Sequence, residues 1–80
     1  MARTISTIAQ DILKSWVKPS PYAMPYIKAM LTINSTDPNT KYILEPARDI
    51  ILYFLANAQT FRGEDARRLK TELKQLINYK

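Results

Sequence analysis

Pro46-Ala47-Arg48-Asp49-Ile50-Ile51-Leu52-Tyr53-Phe54-Leu55-Ala56-Asn57-Ala58-Gln59 is the stretch that decides the fold. Ala47, Ile50, Ile51, Phe54, Leu55 and Ala58 recur at three- and four-residue intervals, the repeat of one helix face. Leu52 and Ala56 fall on the far side, so the segment is apolar over more than half its circumference and reads as the central helix of a bundle. Pro46 opens it where a missing N–H costs nothing. Glu45 and Asp49 complement the positive end of its dipole.

The same spacing extends in both directions. Downstream, Thr60-Phe61-Arg62-Gly63 interrupts the chain, and Ala66, Leu69, Leu73, Leu76 and Ile77 form the seam of a helix over 64–78. Upstream, Ile5, Ile8, Ala9, Ile12, Leu13, Trp16 and Val17 predict a helix over 5–18, with Thr4 as its N-cap and Pro19 and Pro21 as its stop. Between them, Ala23, Met24, Ile27, Met30 and Leu31 predict a helix over 23–33, with Pro25 confined to its first turn because an interior proline costs ~3 kcal/mol. Asn34 to Thr40 is polar and reads as a loop, in which Asp37-Pro38 can cap one short turn. Lys41-Tyr42-Ile43-Leu44 is too short, and too close to Pro46, to compete as a strand. The expected fold is all-α, a compact four-helix arrangement in one small domain over 1–80.

Composition narrows the function. With no Cys, the chain has no disulfide, thiolate ligand or Cys nucleophile. With no His, it lacks the commonest general base and metal ligand. Glu45 and Asp49 lie one turn apart but have no third acid nearby. Asp37-x-Asn39 begins like a calcium loop, yet Lys41 stands at the next ligand position and the required glycine and glutamate are missing. The expectation is therefore a non-enzymatic protein with no catalytic residues, no metal and no cofactor. No run approaches the ~20 apolar residues of a membrane span. Ser6, Thr7, Gln10, Asp11 and Lys14 interrupt any signal-peptide core, so a chain that keeps its N-terminus and a cytoplasmic address are expected. The net charge of +5 permits an acidic partner, although solubility alone accounts for charges of ~2–8 on a small domain.

The residues best suited to an anion flank the only glycine. Gly63 precedes a helix start, where unpaired N–H groups and the dipole favour negative charge. Thr60, Arg62, the Gly63 N–H and Arg67 can hold phosphate, and Tyr53 and Asn57, on one face of the preceding helix, can contact a base. The expected ligand is a small nucleotide, sequestered rather than processed. Against this, Gly63 can simply relieve the turn, while Glu64 and Asp65 repel an incoming anion.

Further along, Glu64, Arg68 and Glu72 are spaced to pair with one another. Arg67, Lys70 and Lys74 form an adjacent basic row with no acid at matching spacing; such a row can follow a nucleic-acid backbone, but a solvated face is the first reading of it. A helix-turn-helix is disfavoured, because Glu64 and Asp65 would meet the bases. Tyr22, Tyr26, Tyr42, Tyr53, Tyr79 and Trp16, with Leu52, Ala56 and Ile33 off the core faces, are more apolar surface than a small bundle hides. They predict a homo-oligomer, or a protein partner that the chain inhibits.

The stretch Asn57-Ala58-Gln59-Thr60-Phe61-Arg62-Gly63-Glu64-Asp65-Ala66-Arg67-Arg68-Leu69-Lys70-Thr71-Glu72-Leu73, together with Pro25-Tyr26-x-x-Ala29-Met30-Leu31, resembles short uncharacterised helical proteins of bacteriophages and prophages. The resemblance covers under a third of the chain. It implies a phage protein acting inside a bacterial host cell by binding a host protein, a nucleic acid or a nucleotide signal of host defence. It brings no residue assignments of its own.

Overall fold

Thr4 starts the first helix as the sequence requires: its backbone is extended, and its hydroxyl accepts the Thr7 N–H at 3.2 Å. The computed structural model describes residues 3–37, 39–42 and 45–77. Within them the elements are α1 (Ile5–Ser15), α2 (Met24–Leu31), a two-residue hairpin of β1 (Lys41–Tyr42) and β2 (Glu45–Pro46), α3 (Ala47–Ala56) and α4 (Glu64–Leu76). Pro38 of the expected short turn, Asn78 at the expected end of the fourth helix, and Tyr79 lie outside the described residues. The protein is a single all-α domain with extents of 28 × 26 × 22 Å.

The first three helices are shorter than periodicity implies, and the cause is local in each case. α1 stops at Ser15 rather than at residue 18, because Pro19 excludes the α region for Lys18 and the chain turns extended at Trp16. Trp16 keeps its N–H bond to Ile12 O at 2.8 Å and turns its ring into the core, whereas Val17 is left 86% exposed. α2 begins after a turn in which the N–H groups of Ala23 and Met24 donate to Ser20 O, with Pro25 in its first turn. It ends at Leu31, where the Thr32 hydroxyl donates back to Ala29 O at 2.7 Å. α3 closes at Ala56 rather than Gln59, because the Asn57 amide folds back onto Tyr53 O at 2.8 Å and competes with the helical ladder.

Lys41 and Tyr42 do pair, antiparallel, with Pro46 and Glu45. The polar loop before this hairpin is closed by its own side chains. Asp37 accepts the Asn39 N–H at 2.8 Å, and Ser35 accepts the Asp37 N–H at 3.0 Å.

The helix expected at the centre is not central. α1 packs against both α2 and α4, and α2 against both α1 and α3. The core is built from Ile5, Ile8, Ala9 and Ile12 of α1, Ile27 and Met30 of α2, Ile50, Ile51 and Phe54 of α3, and Leu69 and Leu73 of α4. Ile33, expected off the core, is buried, while Leu13 lies at the surface. On α3, Leu52 and Leu55 are half-buried, and Tyr53 and Ala56 are exposed.

Three cationic side chains fix the helices to one another. Arg3 forks onto Glu72 of α4 with two bonds of 2.7 Å and also pairs with Asp11 of α1. Arg48 donates to Ile77 O at the end of α4, at 2.7 Å. Lys70 donates to Ala58 O and Phe61 O, each at 2.7 Å. The last two clip the opposite ends of α3 to α4, which therefore run antiparallel.

Candidate functional site

The break after α3 is held in place by aromatic stacking. Phe61 is buried against Trp16, the rings 4.9 Å apart and inclined by 16°, and Trp16 meets Phe54 edge-on at 6.4 Å. Planes this close and this nearly parallel make an offset stack that anchors the turn to the core. The turn then reaches Gly63, whose φ of +115° with ψ near 180° is essentially restricted to glycine. A Cβ built there meets nothing within 4 Å, so backbone conformation alone demands the glycine. Of the two roles weighed for Gly63, relief of the turn is the one with a structural cause.

From this point α4 divides its surface by sign. Phe61, Arg62, Gly63, Arg67, Lys70 and Lys74 line one open groove of about 400 Å³, and none of the described residues lining it is acidic. Glu64 and Asp65, the residues that weighed against an anion at this helix start, do not line it. Asp65 turns instead toward Arg68, 3.8 Å away. The expected pairing of Glu64, Arg68 and Glu72 does not form, because Arg3, reaching across from the other end of the chain, takes Glu72. The Arg3 hydrogen bonds hold the Asp11 and Glu72 carboxyls below the usual carboxylate range.

The basic residues of the groove are not equivalent. Arg67 is exposed, and its guanidinium has no partner among the described residues. Arg62 is exposed and donates from Nε to Gln59 O at 3.3 Å, leaving its terminal nitrogens outward. Lys70 is largely committed to structure through its two carbonyls, with its ammonium 5.7 Å from the centre of the Phe61 ring. Burial, followed by the nearby charges of Lys74 and Arg62, lowers the Lys70 pKa from the ordinary lysine value. That last effect reflects a concentrated positive potential along this face.

Not all of the expected nucleotide site comes together. Arg62, Gly63 and Arg67 share the groove. Asn57 and Thr60 instead line a separate cleft of about 290 Å³ with Ser20, Tyr22, Ala56 and Gln59. Tyr53 lines neither; its ring lies 5.6 Å from that of Tyr26 in a tilted pair. The expectation of one pocket holding Tyr53, Asn57, Thr60, Arg62, Gly63 and Arg67 is corrected to two sites and an outlier. The physical reason is that α3 ends early: Asn57 and Thr60 lie beyond the helix, and Tyr53 stays on the face that α3 shares with α2.

Tyr22 is a cleft residue that the expected ligand site did not include. Its signal in the sequence was membership of the aromatic surplus, and, Ser20 apart, its neighbours in the cleft are more than 30 positions away in sequence. A third hollow of about 300 Å³, lined by Leu52, Leu55, Ala56, Gln59, Lys70 and Lys74, separates α3 from α4. No helix among the described residues is long and apolar enough to cross a membrane.

The chain matches no protein-family model, and no curated protein or solved structure is similar to it.

Proposed function

We propose that this protein binds nucleic acid through the phosphate backbone, along the groove formed by Arg62, Arg67, Lys70 and Lys74. One observation carries the reading: Arg62 of the turn and Arg67, Lys70 and Lys74 of α4 line one groove with no acidic residue among the described lining. From Arg67 to Lys74 the row is about 10 Å long at the helical rise of ~1.5 Å per residue, more than one phosphate occupies. A free mononucleotide fits less well, since Tyr53, expected to hold its base, faces elsewhere.

Binding of a fluorescent 20-nucleotide strand, followed by anisotropy, tests this. Affinity should rise with strand length. With about three phosphates neutralised, it should fall about twentyfold between 50 and 200 mM salt. Arg62→Ala with Arg67→Ala should remove most of it without disturbing the fold, because both side chains are exposed. Affinity indifferent to salt and to that double substitution would point to the runner-up instead, a protein partner on the tyrosine-bearing side.

A further inference from the structure

The cleft beside the basic groove has an exposed aromatic ring and a polar wall. Tyr22 is 75% exposed, next to a hollow lined by Ser20, Asn57, Gln59 and Thr60. Asn57 uses its amide nitrogen to cap α3 through Tyr53 O, which leaves Oδ1 without a partner among the described residues. The Gln59 amide and the Thr60 hydroxyl have none either. Ser20 accepts the Tyr22 N–H at 3.2 Å and keeps its own proton to donate. This set offers donors and acceptors beside a π-face, the combination that takes a heteroaromatic ring with polar edges.

The cleft and the groove are two sides of one turn. Thr60 lines the first and Arg62 the second, and two residues separate their Cα atoms by at most ~7 Å. The Arg62 Nε bond to Gln59 O ties the wall of one to the rim of the other. A base and the phosphates flanking it can therefore engage both at once.

We propose that the nucleic acid taken by this surface is single-stranded, with one unstacked base laid on Tyr22 in the Asn57–Thr60 cleft and its flanking phosphates on Arg62 and Arg67. The proposal rests on the backbone-binding reading above and adds a preference to it. In a duplex the base faces are stacked away, so an exposed tyrosine ring has no free base face to stack on. The volume of about 290 Å³, at the small end of ligand clefts, suits one ring system.

The test measures anisotropy of a 20-nucleotide single strand and of its duplex at one salt concentration, with four proteins: wild type, Tyr22→Ala, Tyr22→Phe and the Arg62→Ala/Arg67→Ala pair. Wild type should favour the single strand. Tyr22→Ala should weaken single-strand binding about tenfold or more, in line with alanine substitutions at base-stacking aromatics, and leave duplex binding unchanged. Tyr22→Phe should keep single-strand affinity within about threefold, since the face and not the hydroxyl makes the stack. If Tyr22→Ala binds the single strand as wild type does while the arginine pair still loses affinity, base stacking is overturned and backbone binding stands. If wild type binds neither strand form, both readings fall. Tyr22 is exposed, so folding does not confound the result.

Discussion

Lys70 is the residue whose role the tertiary structure changes most, and its replacement by Met separates packing from charge. Methionine retains an unbranched stem against Phe61 and deletes the ammonium that bonds Ala58 O and Phe61 O at 2.7 Å each. Hydrogen bonds from a charged donor contribute ~1.5–3 kcal/mol apiece when buried. Lys70 is only half-buried, so water replaces part of each bond after deletion. Loss of the charge also removes repulsion from Lys74 and Arg62 and the desolvation that lowers the Lys70 pKa. The balance is a destabilisation of about 1–2 kcal/mol. For a domain of this size that is a fall in Tm of about 5–15 °C. The assay is urea unfolding followed by Trp16 emission, which reads the site directly because Trp16 stacks on Phe61 inside the same turn. Arg67→Met is the control: an exposed side chain with no described partner, expected within about 0.5 kcal/mol of wild type. A Lys70→Met protein with the wild-type urea midpoint would refute the view that this lysine clips α4 to the α3 turn.

Two further outcomes follow from the contacts outside the groove. Arg3 depresses the pKa of Asp11 and Glu72, so the unfolded chain binds more protons than the folded one as pH drops below the ordinary carboxylate range. The stabilisation is therefore present above about pH 4–5 and is lost as pH falls through the lowered folded values. Arg3→Met should cost on the order of 1 kcal/mol near neutrality, discounted for exposure and screening, with the gap closing toward pH 2. Urea midpoints at several pH values check this, and a gap that stays constant with pH would contradict it. Val17→Ser should change stability by less than about 0.5 kcal/mol, because the residue is 86% exposed; a loss above about 1 kcal/mol would mean that α1 runs on to Lys18 in solution.

Much of the architecture was legible in the sequence. Spacing of apolar residues located four helices in the right order, Thr4 marked the first start, and Pro25 fell in a first turn as its missing N–H requires. Those signals are local, carried by dihedral preference and by one face repeating every 3.6 residues. The helix ends were less legible, because periodicity does not register the residues that compete with it. Lys18 before Pro19 and the Asn57 side chain on Tyr53 O end helices whose apolar pattern continues.

The site divided along the same line. The basic row Arg67, Lys70 and Lys74 came from spacing on one helix, and the structure places all three in one groove. Spacing carries no information about partners far away in sequence. Arg3 meets Glu72 69 residues away, Lys70 reaches back 12 residues to Ala58, and Tyr22 shares a cleft with Asn57. Sequence alone determined which faces are apolar or charged, since that follows from residue order and helical pitch. Only the tertiary structure decided which charges are neutralised, which lysine is spent on carbonyls and which tyrosine stands beside the arginines. Those outcomes depend on how the helices pack, and packing is set by the joint burial of all four apolar faces.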